Sequence, residues 1–188
     1  MNNQVPFEQF YEATGRANAA WQHIEDGICD IFSRTLICSI SGTMKTFHPN
    51  AMRLTYGIFY ASTNIRTRLG MVTTLVNELI DDQEINNEWR SINNKTLNLY
   101  KRRNLIAHGY VWGNQEGASL VRGSIHQVSH NNYGLNICQV KASEIAFKKL
   151  GDRSCDLAIK INKYFSARRK HSTQNGITKT LSKNGRAP

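Results

Sequence analysis

Tyr100-Lys101-Arg102-Arg103-Asn104-Leu105-Ile106-Ala107-His108-Gly109 closes a helix, and the rest of the chain is read outward from that end. Trp89, Ile92, Leu99 and Ile106 recur at helical spacing ahead of it, and Gly109 suits the left-handed turn that ends a helix. At about 100° per residue, Arg103 points into the arc of Ile92, Leu99 and Ile106, where a guanidinium is costly to bury without a partner. His108 falls where the helix dipole is negative, a setting that favours a cationic ring, and histidine is the side chain suited to acid–base work near neutrality. The two are five residues apart, which splays them by roughly 140° and separates them by about 7.5 Å along the axis. Convergence on one small target then requires a bend or fraying at Asn104, or a second copy of the chain supplying its own pair to the same cleft. An arginine fork beside an imidazole suits phosphate chemistry.

The arrangement Arg103-Asn104, two intervening residues, then Ala107-His108, at the end of an amphipathic helix in a mostly helical chain, resembles the signature of the HEPN superfamily. That resemblance implies an up-and-down bundle of about four or five helices, commonly dimeric, with many members acting as metal-independent endoribonucleases at a composite site. Carried onto this sequence, it makes Arg103, Asn104 and His108 the catalytic candidates, and the expected products a 2′,3′-cyclic phosphate and a 5′-hydroxyl. His108 takes the proton-transfer role, Arg103 the phosphate, and Asn104 orients either the phosphate or the imidazole. Tyr100, Lys101 and Arg102 are candidate contacts to the substrate backbone, and Arg102 can replace Arg103 in a looser count of the motif.

Working upstream, Phe10, Trp21, Ile24, Ile28, Ile31 and Phe32 predict a first helix from Phe7 to Ile37, with an interruption considered near Gly15. Ser39 to Asn50 reads as a loop. A second long helix is predicted over Ala51 to Ile80, with Phe59, Leu69, Val72, Val76 and Leu79 inward and with Gly57 and Gly70 as candidate close contacts or bends. Asp81 to Asn86 reads as a polar turn. Glu25 is a candidate partner for an inward arginine, while Arg66 and Arg68, two residues apart, face different ways, so that at most one approaches the motif.

Downstream of Gly109 the period changes. Tyr110-Val111-Trp112, Ala118 to His126 and Leu135 to Val140 are short aromatic or β-branched runs separated by turn residues, and they predict a small antiparallel β insertion over about 110–140. His126 and His130 stand four apart, but a strand and turn destroy the metal geometry that this spacing gives on a helix. Ser143 is expected to cap a final helix that buries Phe147, Leu150, Leu157, Ala158, Ile161, Tyr164 and Phe165.

The 188 residues, 40% of them hydrophobic, allow one domain with a sizeable core. The expectation is a mainly α up-and-down bundle of four major helices over 1–169, with the β insertion before the last helix. Six of the ten net positive charges, Arg168, Arg169, Lys170, Lys179, Lys183 and Arg186, lie at the C-terminal end, so 170–188 is expected to be a basic, disordered tail. Cys29, Cys38, Cys138 and Cys155 lack metal or disulfide spacing, so no metal site, cofactor or disulfide is expected. No basic-apolar leader and no apolar run near the ~20 residues of a membrane helix is present, which points to a cytoplasmic protein without membrane contact. Among partners, the exposed apolar stripes predict a homodimer, RNA is the expected substrate, and a regulatory protein such as an antitoxin is compatible with a toxin, defence or RNA-processing role. The alternative is a HEPN-like dimer that binds RNA, a nucleotide or a protein without cutting, its Arg103 and Asn104 fixing helix register and its His108 serving as a helix-terminal cap. In a third reading the helical domain is unrelated and the Arg-Asn-His series coincidental.

Overall fold

A computed structural model describes residues 7–41, 49–112, 120–122 and 134–183. The fold is mainly α, as the hydrophobic periodicity predicts. Five helices are present among the described residues: α1 (Phe7–Ser41), α2 (Pro49–Ala61), α3 (Ile65–Leu79), α4 (Gln83–His108) and α5 (Ile137–Lys183). None is long and apolar enough to cross a membrane.

The second predicted helix, Ala51 to Ile80, is instead two, which raises the count from four to five. Asn64 takes an extended backbone (φ −93°, ψ 119°) and its side chain accepts from the Arg66 amide, capping α3. The turn is pinned by Arg68, which is buried, donates from Nε to the Ser62 carbonyl at 2.7 Å, and lies 4.8 Å over the Tyr60 ring. Gly57 and Gly70 take no part, since a Cβ at either would meet nothing within 4 Å. α1 runs unbroken through Gly15 and ends at Ser41 rather than Ile37. The polar turn expected to Asn86 is shorter, because Asp82 accepts from the amides of Glu84 and Ile85 and starts α4 at Gln83.

After α4, strands β1 (Tyr110–Trp112) and β2 (Leu120–Arg122) pair antiparallel with Val111 opposite Val121. Residues 113–119 and 123–133, including His126 and His130, lie outside the described residues. The third expected strand, Leu135 to Val140, is overturned: α5 starts at Ile137. Asn136 and Gln139 form a reciprocal capping box there, the Gln139 amide donating to Asn136 Oδ1 and the Asn136 amide to Gln139 Oε1, both at 2.9 Å. Ser143 is therefore inside the helix, where its hydroxyl donates to the Gln139 carbonyl. The helix continues to Lys183, so most of the tail expected to be disordered has helical backbone.

The chain divides into two compact units. The first, 1–27 with 90–154, is built on Phe10, Ala13, Ala17, Trp21 and Ile24 of α1, Ile92 and Ile106 of α4, and Val140, Phe147 and Leu150 of α5, all buried. The Trp21 ring meets Phe147 edge-on, with centroids 5.2 Å apart. Two polar ties join α1 to α5 in this unit, Arg16 Nε to Glu144 at 3.2 Å and His23 Nε2 to Asp152 at 2.9 Å. Gly151 leaves the space that the His23 ring fills, because a Cβ there would overlap the ring.

The second unit, 28–89 with 155–188, buries Ile28, Ile31 and Phe32 of α1, Phe59 of α2, Leu69, Val72 and Val76 of α3, Trp89 of α4, and Leu157, Ile161 and Phe165 of α5. Two of its aromatic polar tips are matched: the Trp89 indole donates to Thr73 Oγ1 at 3.1 Å, and the Tyr56 hydroxyl to Asp30 at 3.0 Å. None of the four cysteines is in a disulfide, and burial pushes the Cys38 thiol up despite nearby Arg34.

Candidate functional site

The stripe that buries α4 also sets the pose of its last turns. Ile92 and Ile106 are fully inside, Leu99 is half-buried, and Arg103, in the same arc, is half-buried with its Nε shielded from solvent. That Nε has no hydrogen-bond partner among the described residues, while the outer end of the guanidinium is engaged. Arg103 Nη1 donates to Asn104 Oδ1 at 3.2 Å and lies 3.3 Å from His108 Nε2. His108, the last residue of α4, is exposed, and the Gly109 amide closes the turn on the Leu105 carbonyl at 2.9 Å.

The three catalytic candidates are thus together within one chain. Convergence needs neither a break at Asn104 nor a second copy, since α4 is continuous to His108. The physical reason lies beyond the helix axis. Rise and rotation along the axis leave out side-chain length, and the long arginine reaches to within 3.3 Å of the ring. A guanidinium can only donate, so a hydrogen bond across this contact requires the His108 tautomer with its proton on Nδ1.

Of the substrate-contact candidates, Lys101 and Arg102 are exposed, whereas Tyr100 is half-buried with its ring 6.0 Å from that of Trp21. Trp21 in turn donates its indole N–H to Glu25 at 2.6 Å, so Glu25 supports the aromatic seam under Tyr100. Arg66 and Arg68 belong to the second unit, where Arg68 holds the α2–α3 turn. Among the described residues no group of three His, Cys, Asp or Glu side chains is placed to hold a metal.

The arrangement offers one titratable ring, one fork of donors and one amide at an exposed helix end. It can bind an oxyanion and exchange a proton with a neighbouring hydroxyl. Compared with protein-family models, with characterised proteins and with solved structures, the chain gives no significant match.

Proposed function

We propose that this chain is a HEPN-like, metal-independent endoribonuclease that cuts RNA by attack of the 2′-hydroxyl on the adjacent phosphorus. The observation that carries the reading is the 3.3 Å approach of Arg103 Nη1 to His108 Nε2 at the exposed end of α4. A phosphate entering there competes for the Arg103 donors and releases the Nε2 lone pair. His108 then takes the 2′-hydroxyl proton as the new O2′–P bond forms, and Arg103 stabilises the charge on the equatorial oxygens. The P–O5′ bond breaks and the departing oxygen takes a proton, leaving a 2′,3′-cyclic phosphate and a 5′-hydroxyl.

In-line displacement puts the attacking and leaving oxygens on opposite sides of phosphorus. One imidazole does not reach both, so the acid is the same histidine of a second copy, and the working form is a homodimer with a composite cleft. Asn104, 3.2 Å from the guanidinium, holds the fork in place.

The test is cleavage of single-stranded RNA by the purified protein in EDTA, with the ends analysed. Cyclic-phosphate products that persist in EDTA are expected, and a broad RNA panel left uncut overturns the reading. One observation favours a second reading, a dimer that binds without cutting: Nη1 of Arg103 is already engaged by its own neighbours, Asn104 and His108. There Arg103→Ala weakens the dimer or its partner rather than abolishing a rate.

A further inference from the structure

From Arg90 to His108, α4 carries Arg90, Lys95, Lys101, Arg102 and Arg103 and no acidic residue. The acids that precede this span on the same helix, Glu84 and Glu88, are both tied to Lys160. Within the acid-free span, Arg90, Asn94, Asn98, Lys101, Asn104 and His108 follow one another at steps of four or three. On a helix that spacing holds them in one band, an arc of about 120° running about 27 Å along the axis and ending at the candidate site. Arg90, Asn94, Asn98, Lys101 and His108 are exposed, and Asn104 is half-buried.

A solvated helix face ordinarily pairs its charges. α1 does so within this same unit, where Arg16 bonds Glu12 and Glu144. Along the α4 band, by contrast, Arg90, Asn94, Asn98 and Lys101 make no side-chain hydrogen bond or ion pair among the described residues. The two cations of the band, Arg90 and Lys101, have no acid beside them on it, so this face draws no ion-pair support for the fold. It matches a ligand that brings its own negative charge at regular intervals.

We infer that this face of α4 is a binding track for single-stranded RNA. The interleaved asparagines favour a polynucleotide over an acidic protein surface, since each amide offers both donor and acceptor to 2′-hydroxyls and base edges while the cations take the phosphates. The band takes up about a third of the helix circumference, a width that suits one strand, and its length is compatible with the roughly 4–16 nucleotides that single-strand modules cover. That the strand is delivered to be cut rests on the nuclease reading above. That it is bound does not.

The two are separable with a fluorescent 12-mer carrying 2′-O-methyl groups, which has no 2′-hydroxyl to attack, titrated by anisotropy against the full chain at several salt concentrations. Each phosphate contact contributes a slope of about 0.7 in log affinity against log salt for a single strand. The double variant Arg90→Gln, Lys101→Gln is expected to lower the slope by about 1.4, so that affinities coinciding near 1 M salt differ about 25-fold at 0.1 M. Lys148→Gln with Lys149→Gln removes the same charge from exposed positions on α5 and is expected to leave the slope unchanged. Equal losses in the two double variants mean that only net charge matters and overturn the track, as does a double variant on α4 that binds like wild type. Displacement of the oligonucleotide by polyglutamate of matched charge, as readily as by unlabelled strand, overturns it in favour of an acidic protein partner. Wild-type protein that binds the blocked strand through Arg90 and Lys101 yet leaves the unmodified strand whole keeps the track and removes the nuclease.

Discussion

His108 and Arg103 divide the proposed chemistry between a proton and a charge, and their substitutions separate the two. His108→Ala and Arg103→Ala are each expected to cut the RNA cleavage rate by roughly a hundredfold or more, the usual cost of losing an acid–base group or a key electrostatic donor. Arg103→Lys is expected to be nearly as poor, because an ammonium does not reproduce the planar fork that grips a phosphate with two donors. Single-turnover kinetics with melting curves as the folding control decide this, and a lysine variant near wild-type rate would show that only charge is used. Gly151 poses a packing question at the same scale. Its replacement by alanine gains helix propensity, about 1 kcal/mol, but drives a methyl group into the His23 ring and breaks the exposed His23–Asp152 contact. In a double-mutant cycle, Gly151→Ala is expected to stabilise more in a His23→Ala background than alone, and additive denaturant midpoints would refute the clash.

The ends of the elements show what is legible in the sequence and what is not. Trp89, Ile92 and Ile106 announce α4, and all three are buried, because a long stripe at one period is hard to mistake. Leu135-Asn136-Ile137-Cys138-Gln139-Val140 misleads, since it is a short, largely apolar run set off by the turn residues Asn131-Asn132-Tyr133-Gly134. The decisive signal is polar instead, Asn136 followed three residues later by Gln139. Asn136→Ala is accordingly expected to cost about 0.5–2 kcal/mol and to raise amide exchange at Gln139 first. Exchange there at the wild-type rate would mean that the box adds nothing. The break between α2 and α3 is hidden for a related reason. It is made by Ser62, Asn64 and Arg68, with no glycine or proline to mark it. Arg103, Asn104 and His108 are legible as candidates from the sequence. Their meeting is not, because axial rise and rotation omit the reach of an arginine.

For the whole molecule, the exposed apolar side chains, Leu54 and Ile58 on α2 and Phe7 and Tyr11 on α1 among them, are compatible with the proposed homodimer. Light scattering at micromolar concentration and moderate salt is expected to give twice the chain mass, and a monomer under those conditions would remove the composite cleft. The contact of Arg103 with His108 inside one chain also bears on what a mixed population of subunits can do. Were each working pair assembled from Arg103 of one copy and His108 of the other, co-expressed Arg103→Ala and His108→Ala chains would regenerate one whole pair in every heterodimer, and a cell carrying both alleles would recover nuclease. Because the pair is internal to each subunit, these two alleles are expected to fail to complement, and His108→Ala is expected to act as a dominant poison when co-expressed with the wild-type chain, since the proposed cleft takes one histidine from each copy.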